Sequence, residues 1–398
     1  MGIYLDTKNS LVGDFSGLSD KFEEIKNMPF PSFVLKNSLE KESPYFIDKL
    51  SGFNNVLLIG NGGSVNGAKA YYGSLFPKKT FEFVTTMEPD FLNSMADKYS
   101  PEDTLVLAVS KSGTTVGVLE SLLFFMGKGY EIVVITDKEG SLYKIAKTRG
   151  WHTILHPPVG GRFSAGTASG LVPAYIMGFD VDKIKNGLEI AYKKNSPKIG
   201  VQDNPSLQLA STLYLLEKQG IHDVFIPVYS AQLCSFLPII IQLMHESFGK
   251  ENKGQSFFGD IAPETQHHTN QRLFGGRKNI CGLFIHVLNQ KDKTTKIVVP
   301  NDIKDVFLKG KKLDLLSLNT YEDALRFEYL GTYNDAVNKN IPVIDIAIER
   351  VSEKTVGELM GFWKYVAVYS AILRGLNPYD QPMVEGSKEI SFNKRVGM

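Results

Sequence analysis

The chain has 398 residues, 43% hydrophobic and 22% charged, which is the balance of a folded globular protein long enough for two cores. With 44 basic against 43 acidic residues, its formal net charge of +1 removes the electrostatic case for a nucleic-acid or anionic-membrane partner, so any anion must be held by a local site. The longest apolar runs, such as Phe236 to Met244, are too short to cross a bilayer, Met1 to Gly13 lacks a signal-peptide pattern, and Asp6 stands where a myristoylation signal needs Ser or Thr, so a cytoplasmic location is expected.

In chain order, residues 1–45 read as a polar, mostly helical arm. From residue 46 to 195, strand-length apolar runs (Asn55 to Ile59, Thr104 to Ser110, Glu131 to Thr136, Thr153 to His156) alternate with helix-like stretches such as Val65 to Leu75 and Thr115 to Met126. That alternation predicts an α/β unit with a doubly wound parallel sheet. The polar stretch Lys193 to Asn204 reads as a linker. A second α/β unit over residues 196–370 follows, with strands at Asp223 to Val228, Ile280 to Val287, Thr294 to Val299 and Ile341 to Ala347, and one long helix from Gln232 to Phe248. A helix over 355–374 ends at Gly375 and Pro378, and residues 371–398 form a C-terminal helical segment. The two cysteines, Cys234 and Cys281, lie far apart in apolar segments and are expected as buried thiols.

Six segments carry chemistry. Gly60-Asn61-Gly62-Gly63-Ser64 follows a strand and opens a helix, where glycines admit an anion close to the backbone and Ser64 can cap the helix. A plain tight turn fits the same residues, and Val65 in place of a third glycine disfavours a dinucleotide. Ser110-Lys111-Ser112-Gly113-Thr114-Thr115, again between a strand and a helix, brings four hydroxyls and an ammonium within six residues and suits a phosphate dianion. Val159-Gly160-Gly161-Arg162-Phe163-Ser164 lets glycines present an arginine at close range to a developing oxyanion.

Glu246, in Glu246-Ser247-Phe248-Gly249-Lys250 at the end of the apolar helix, is expected to be buried as a general base, with Gln242 one turn earlier on the same face to hold a hydroxyl. His267 and His268 in Gln266-His267-His268-Thr269 can pass protons near neutral pH. Adjacent histidines point apart, so no metal site is expected there. Gln381 and Lys388, seven residues apart in Pro378-Tyr379-Asp380-Gln381-Pro382-Met383-Val384-Glu385-Gly386-Ser387-Lys388, would share one face of a terminal helix.

In this order, over Ile59 to Lys388, the segments resemble the glucose-6-phosphate isomerase family. The resemblance implies two sugar isomerase domains with flanking N- and C-terminal helices, a small-molecule sugar-phosphate substrate, no cofactor, and a homodimer. It implies that Glu246 is the base, Arg162 steadies the enediolate, and His267, contributed across the dimer interface, opens the sugar ring with help from Lys388. Gly62, Gly63, Ser64, Ser110, Lys111, Ser112, Thr115, Gly161, Gln242 and Gln381 would hold the phosphate and hydroxyls. Asn61 also occurs in the Gly-Asn-Gly-Gly-Ser of phosphoheptose isomerases, and Val116-Gly117 replaces the acidic residue common after the double threonine. Isomerisation of mannose 6-phosphate or sedoheptulose 7-phosphate, or a non-catalytic sugar-phosphate sensor, are the alternatives.

Overall fold

The computed structural model describes residues 2–34, 48–77 and 79–398. Strand β1 (Ile3–Asp6) opens the chain, so the expected N-terminal arm begins as a strand. An α-helix follows at Ser19–Asn27, with 3-10 turns at Ser16–Leu18 and Ser32–Val34, and the arm's residues 35–45 lie outside the described residues.

Strands β2 (Asn55–Ile59), β3 (Thr80–Val84), β4 (Thr104–Val109), β5 (Glu131–Thr136) and β6 (His152–Leu155) form one sheet in the order β3-β2-β4-β5-β6. Every pair in it is parallel. β4 is buried along its whole length, as a strand covered by helices on both faces must be.

The second sheet contains β7 (Asp223–Tyr229), β8 (Ser256–Ile261) and β9 (Ile280–Val287). A short hairpin of β10 (Phe307–Leu308) and β11 (Lys311–Lys312) precedes β12 (Val343–Ile348). The order is β1-β12-β9-β7-β8, parallel except that β1 runs antiparallel along β12. The expected strand at Thr294 to Val299 is instead a largely exposed loop with an isolated antiparallel bridge between Lys296 and Thr320. The edge of β12 that such a strand would need is occupied by β1.

The long helix expected over Gln232 to Phe248 is two helices, Ala231–Cys234 and Leu237–Phe248. Pro238 stands in the first turn of the second, where its missing N–H costs no intrahelical bond. The helix Glu353–Leu373 is buried from Val356 nearly to its end and joins one core cluster that also takes in β7, β9, β12 and the helix Gly63–Leu75 of the first unit. A helix with apolar residues on every face is buried in a core, and this one takes Glu358 and Lys364 in with it. Both cysteines are free, Cys281 fully buried and Cys234 half-buried. Among the described residues no helix is long and apolar enough to cross a membrane.

Candidate active site

In open α/β sheets, ligands bind beyond the carboxyl ends of the strands where the strand order reverses. In the first sheet that point lies between β2 and β4, and the glycine-rich and hydroxyl-rich loops follow these two strands. Gly62 has φ +53°, a conformation that favours glycine, and a Cβ there would come within 2.9 Å of Gln242 Nε2. A Cβ on Gly63 would fall 2.1 Å from the Gly161 carbonyl carbon and 2.5 Å from Arg162 N. The two glycines therefore let the first loop press directly on the arginine loop. Gly62 holds the helix cap position, so Ser64 is a first-turn residue and not the cap expected of it.

Arg162, in the 3-10 segment Gly161–Gly166, is 3% exposed and uses its whole guanidinium. Nε donates to Ser247 Oγ at 3.0 Å, Nη1 to Glu246 Oε2 at 3.0 Å and to Gln381 Oε1 at 2.8 Å, and Nη2 to the carbonyls of Pro378 and Asp380. Burial lowers its pKa, and the Glu246 carboxylate opposes that shift. The Phe163 ring lies 5.2 Å from the guanidinium carbon, a cation–π contact that adds to its fixation.

Glu246 is less buried than the apolar helix implied, with its side chain 29% exposed, because it faces the cleft. Its other oxygen accepts from Gln242 Nε2 at 2.9 Å, and Asn66 Nδ2 donates to Gln242 Oε1 at 2.8 Å. A cavity of about 220 Å³ opens beside Glu246, Lys250 and Gln381. Lys250 Nζ holds the Asp380 side chain and the carbonyls of Asn377 and Asp380, and keeps the Asp380 carboxyl below its ordinary pKa. The sequence reading left Ser247, Asn66 and Lys250 without roles. Two of them stand inside the quoted Glu-Ser-Phe-Gly-Lys segment, and Asn66 lies four residues beyond Gly62, one turn along the same helix face.

At the end of β4, Ser110 Oγ and Thr115 Oγ1 are 3.0 Å apart, and Ser112 Oγ accepts from Thr114 Oγ1 at 3.0 Å. Ser110 is buried, Lys111 partly exposed, and Ser112 and Thr115 exposed at the mouth, with the helix Val116–Phe125 starting directly behind. The first N–H groups of that helix have no intrahelical partner and point at the loop.

Two expected members stand apart. Gln381 precedes a 3-10 turn, Pro382–Val384, and the terminal helix starts only at Glu385, so Gln381 and Lys388 do not share a helix face. Lys388 is exposed and donates to Glu385 Oε1 at 2.7 Å. His267 is exposed on a separate cleft of about 440 Å³ with His268, Glu328 and Asp335, and none of the residues lining it belongs to the Arg162–Glu246 network. His268 Nδ1 is 2.6 Å from Thr269 Oγ1.

The chain is 28% identical over 388 residues to the glucose-6-phosphate isomerase of Methanocaldococcus jannaschii, covering 94% of this chain and 92% of that protein. It is 30% identical over 361 residues to the enzyme of the same name from Acholeplasma laidlawii, covering 85% and 82%. Its fold is similar to the crystal structure of a glucose-6-phosphate isomerase from Chlamydia trachomatis, with a TM-score of 0.78 at 19% identity over 100% of this chain and 88% of that one. The family model described as phosphoglucose isomerase matches residues 151–396, more than half of the chain, and the chain belongs to the phosphoglucose isomerase family.

Proposed function

We infer that the protein interconverts glucose 6-phosphate and fructose 6-phosphate, an aldose–ketose isomerisation of glycolysis and gluconeogenesis. The observation that carries the reading is the Glu246 carboxylate held 3.0 Å from the buried Arg162 guanidinium beside an open cavity. In the open-chain sugar, Glu246 takes the proton from C2, the electron pair forms the C1–C2 double bond, and the carbonyl oxygen becomes an enediolate oxygen facing Arg162. Return of the proton to C1 gives the ketose, with one hydroxyl proton passing between O1 and O2. A positioned base contributes about 10²–10⁴-fold and a preorganised cation at the oxyanion a comparable factor. The loops Gly62–Ser64 and Ser110–Thr115 supply the phosphate handle that fixes the reacting carbons.

We further propose that His267 opens the ring from the neighbouring subunit of a homodimer. Its separation from Glu246 within one chain supports that arrangement. Lys388 reaches the sugar when the terminal helix packs over the substrate. The two α/β units divide near residue 195, and the enzyme works in the cytoplasm.

The test is to incubate chelator-treated protein with fructose 6-phosphate while following glucose 6-phosphate and mannose 6-phosphate separately, alongside Glu246→Gln. Rapid formation of glucose 6-phosphate by the wild type, slowed about 10²–10⁴-fold in the variant while substrate still binds, is expected. No turnover by the folded wild type would sink the reading.

A further inference from the structure

The second sheet repeats the reversal of the first, with β8 on one side of β7 and β9 and β12 on the other. Its switch point is therefore the gap between the carboxyl ends of β7 and β9, where Tyr229 and His286 are register partners. A cavity of about 310 Å³ opens there against the helix Tyr321–Asn338. That is the small end of the range for small-molecule sites, about 300–1,000 Å³.

The His286 ring is fixed in place. Its Nε2 donates to Asp345 Oδ2 at 3.1 Å, the Tyr329 hydroxyl donates to Asp345 Oδ1 at 3.0 Å, and the His286 and Tyr329 rings stack with centroids 4.1 Å apart. Asp345 thus takes one imidazole nitrogen and leaves Nδ1 as the one not held by it. Lys293 bonds the neutral Asn289 Oδ1 at 2.6 Å, so its charge is not cancelled by that partner. Arg326 lies over the Phe327 ring and makes an exposed i,i+3 pair with Asp323, a lining carboxylate that Thr320 also holds, and an incoming anion can compete for that weak pair. Glu322 is anchored by the Gln290 N–H at 3.1 Å and keeps free acceptor capacity.

We propose that this cavity is a second ligand site, separate from the catalytic one, for a phosphorylated polyol no larger than a hexose monophosphate. Its phosphate meets Lys293 and Arg326, its hydroxyls meet His286 and Glu322, and its carbon face lies on Tyr329 and the neighbouring leucines. Nothing in this assignment depends on turnover at Glu246.

Calorimetric titration of the full chain with sorbitol 6-phosphate, a polyol phosphate that cannot isomerise, decides the matter. Two molecules per chain are expected. His286→Ala with Lys293→Ala should weaken one of them at least about tenfold and leave the other unchanged, and Lys111→Ala with Ser112→Ala should do the converse. The exposed Arg326→Ala gives the same reading if the His286 variant does not fold. One molecule per chain, or a second whose affinity survives these changes, overturns the proposal. Inorganic phosphate binding there as tightly as the polyol phosphate overturns the ligand class.

Discussion

Burial without a countercharge is costly for a lysine, and Lys364 is completely buried in the helix between the two sheets. Its Nζ lies 3.2 Å from the Tyr192 hydroxyl and 5.5 Å from the centre of the Phe33 ring, and it has no carboxylate partner among the described residues. Desolvation pulls its pKa down from 10.5 to about 7. Between these two values the unfolded chain binds a proton that the folded chain does not, so this residue makes stability rise with pH through that window, and below about pH 7 its cost is full. The linkage is on the order of 5 kcal/mol, against which loss of the Tyr192 partner counts about 1–3 kcal/mol. Lys364→Met is expected to melt higher than wild type at pH 7, with the gap closing as pH approaches 10; equal melting at both pH values would refute it. At Arg162, lysine cannot reproduce a planar fork that serves five acceptors. Arg162→Lys should lose about 10²–10³ in kcat with KM little changed, read from steady-state kinetics.

Among elements, the contact of the first loop with the arginine loop is the least forgiving, because it is backbone against backbone. Gly63→Ala must displace Gly161 and Arg162, at a cost of about 1–3 kcal/mol in denaturant unfolding and with a loss of turnover. Gly200→Ala, with nothing within 4 Å of its Cβ, should stay within about 0.5 kcal/mol of wild type. The same distinction between interior and margin decided what could be read in advance. The inner strands β2, β4, β5, β7, β9 and β12 are continuous apolar runs and were legible as such. Of the strands that escaped, β1, β3 and β8 are sheet edges whose sequences mix polar with apolar positions, as the exposure along β3 and β8 shows, and β10 and β11 are exposed pairs of residues; β6, an edge with a short apolar run, was read. Thr294 to Val299 has an apolar run, but the β12 edge beside which it would lie is taken by β1. At the candidate site, a spacing or a chemical need marks the glycines, Arg162, Glu246 and Gln242 in the sequence, and the structure brings these residues together. Asn66 and Ser247 were not legible, since an amide or hydroxyl that orients another side chain has no pattern of its own. The placement of Lys388 failed because Pro382 delays the helix on which its pairing with Gln381 depended.

For the whole molecule, the site as proposed is shared between two chains, and that arrangement has a subunit-mixing signature. Glu246→Gln and His267→Ala chains, each inactive alone, should regain about a quarter of wild-type activity when unfolded together and reassembled in equal amounts, since half the dimers then carry one intact site of two. Activity no higher than either parent would place His267 with its own Glu246. Within each chain the helix Glu353–Leu373 belongs to the core of both units, so calorimetry should record one unfolding transition. The pairing of β1 with β12 has a further consequence, in time. The first sheet, residues 55–155, can close while synthesis continues, but β1 leaves the ribosome roughly 340 residues before its partner, a wait of about 20–70 s at about 5–20 residues/s. Through that interval Ile3 and Leu5 form an unclaimed sticky strand, and a nascent-chain chaperone that shields it should raise the yield of native protein more than any factor acting after release.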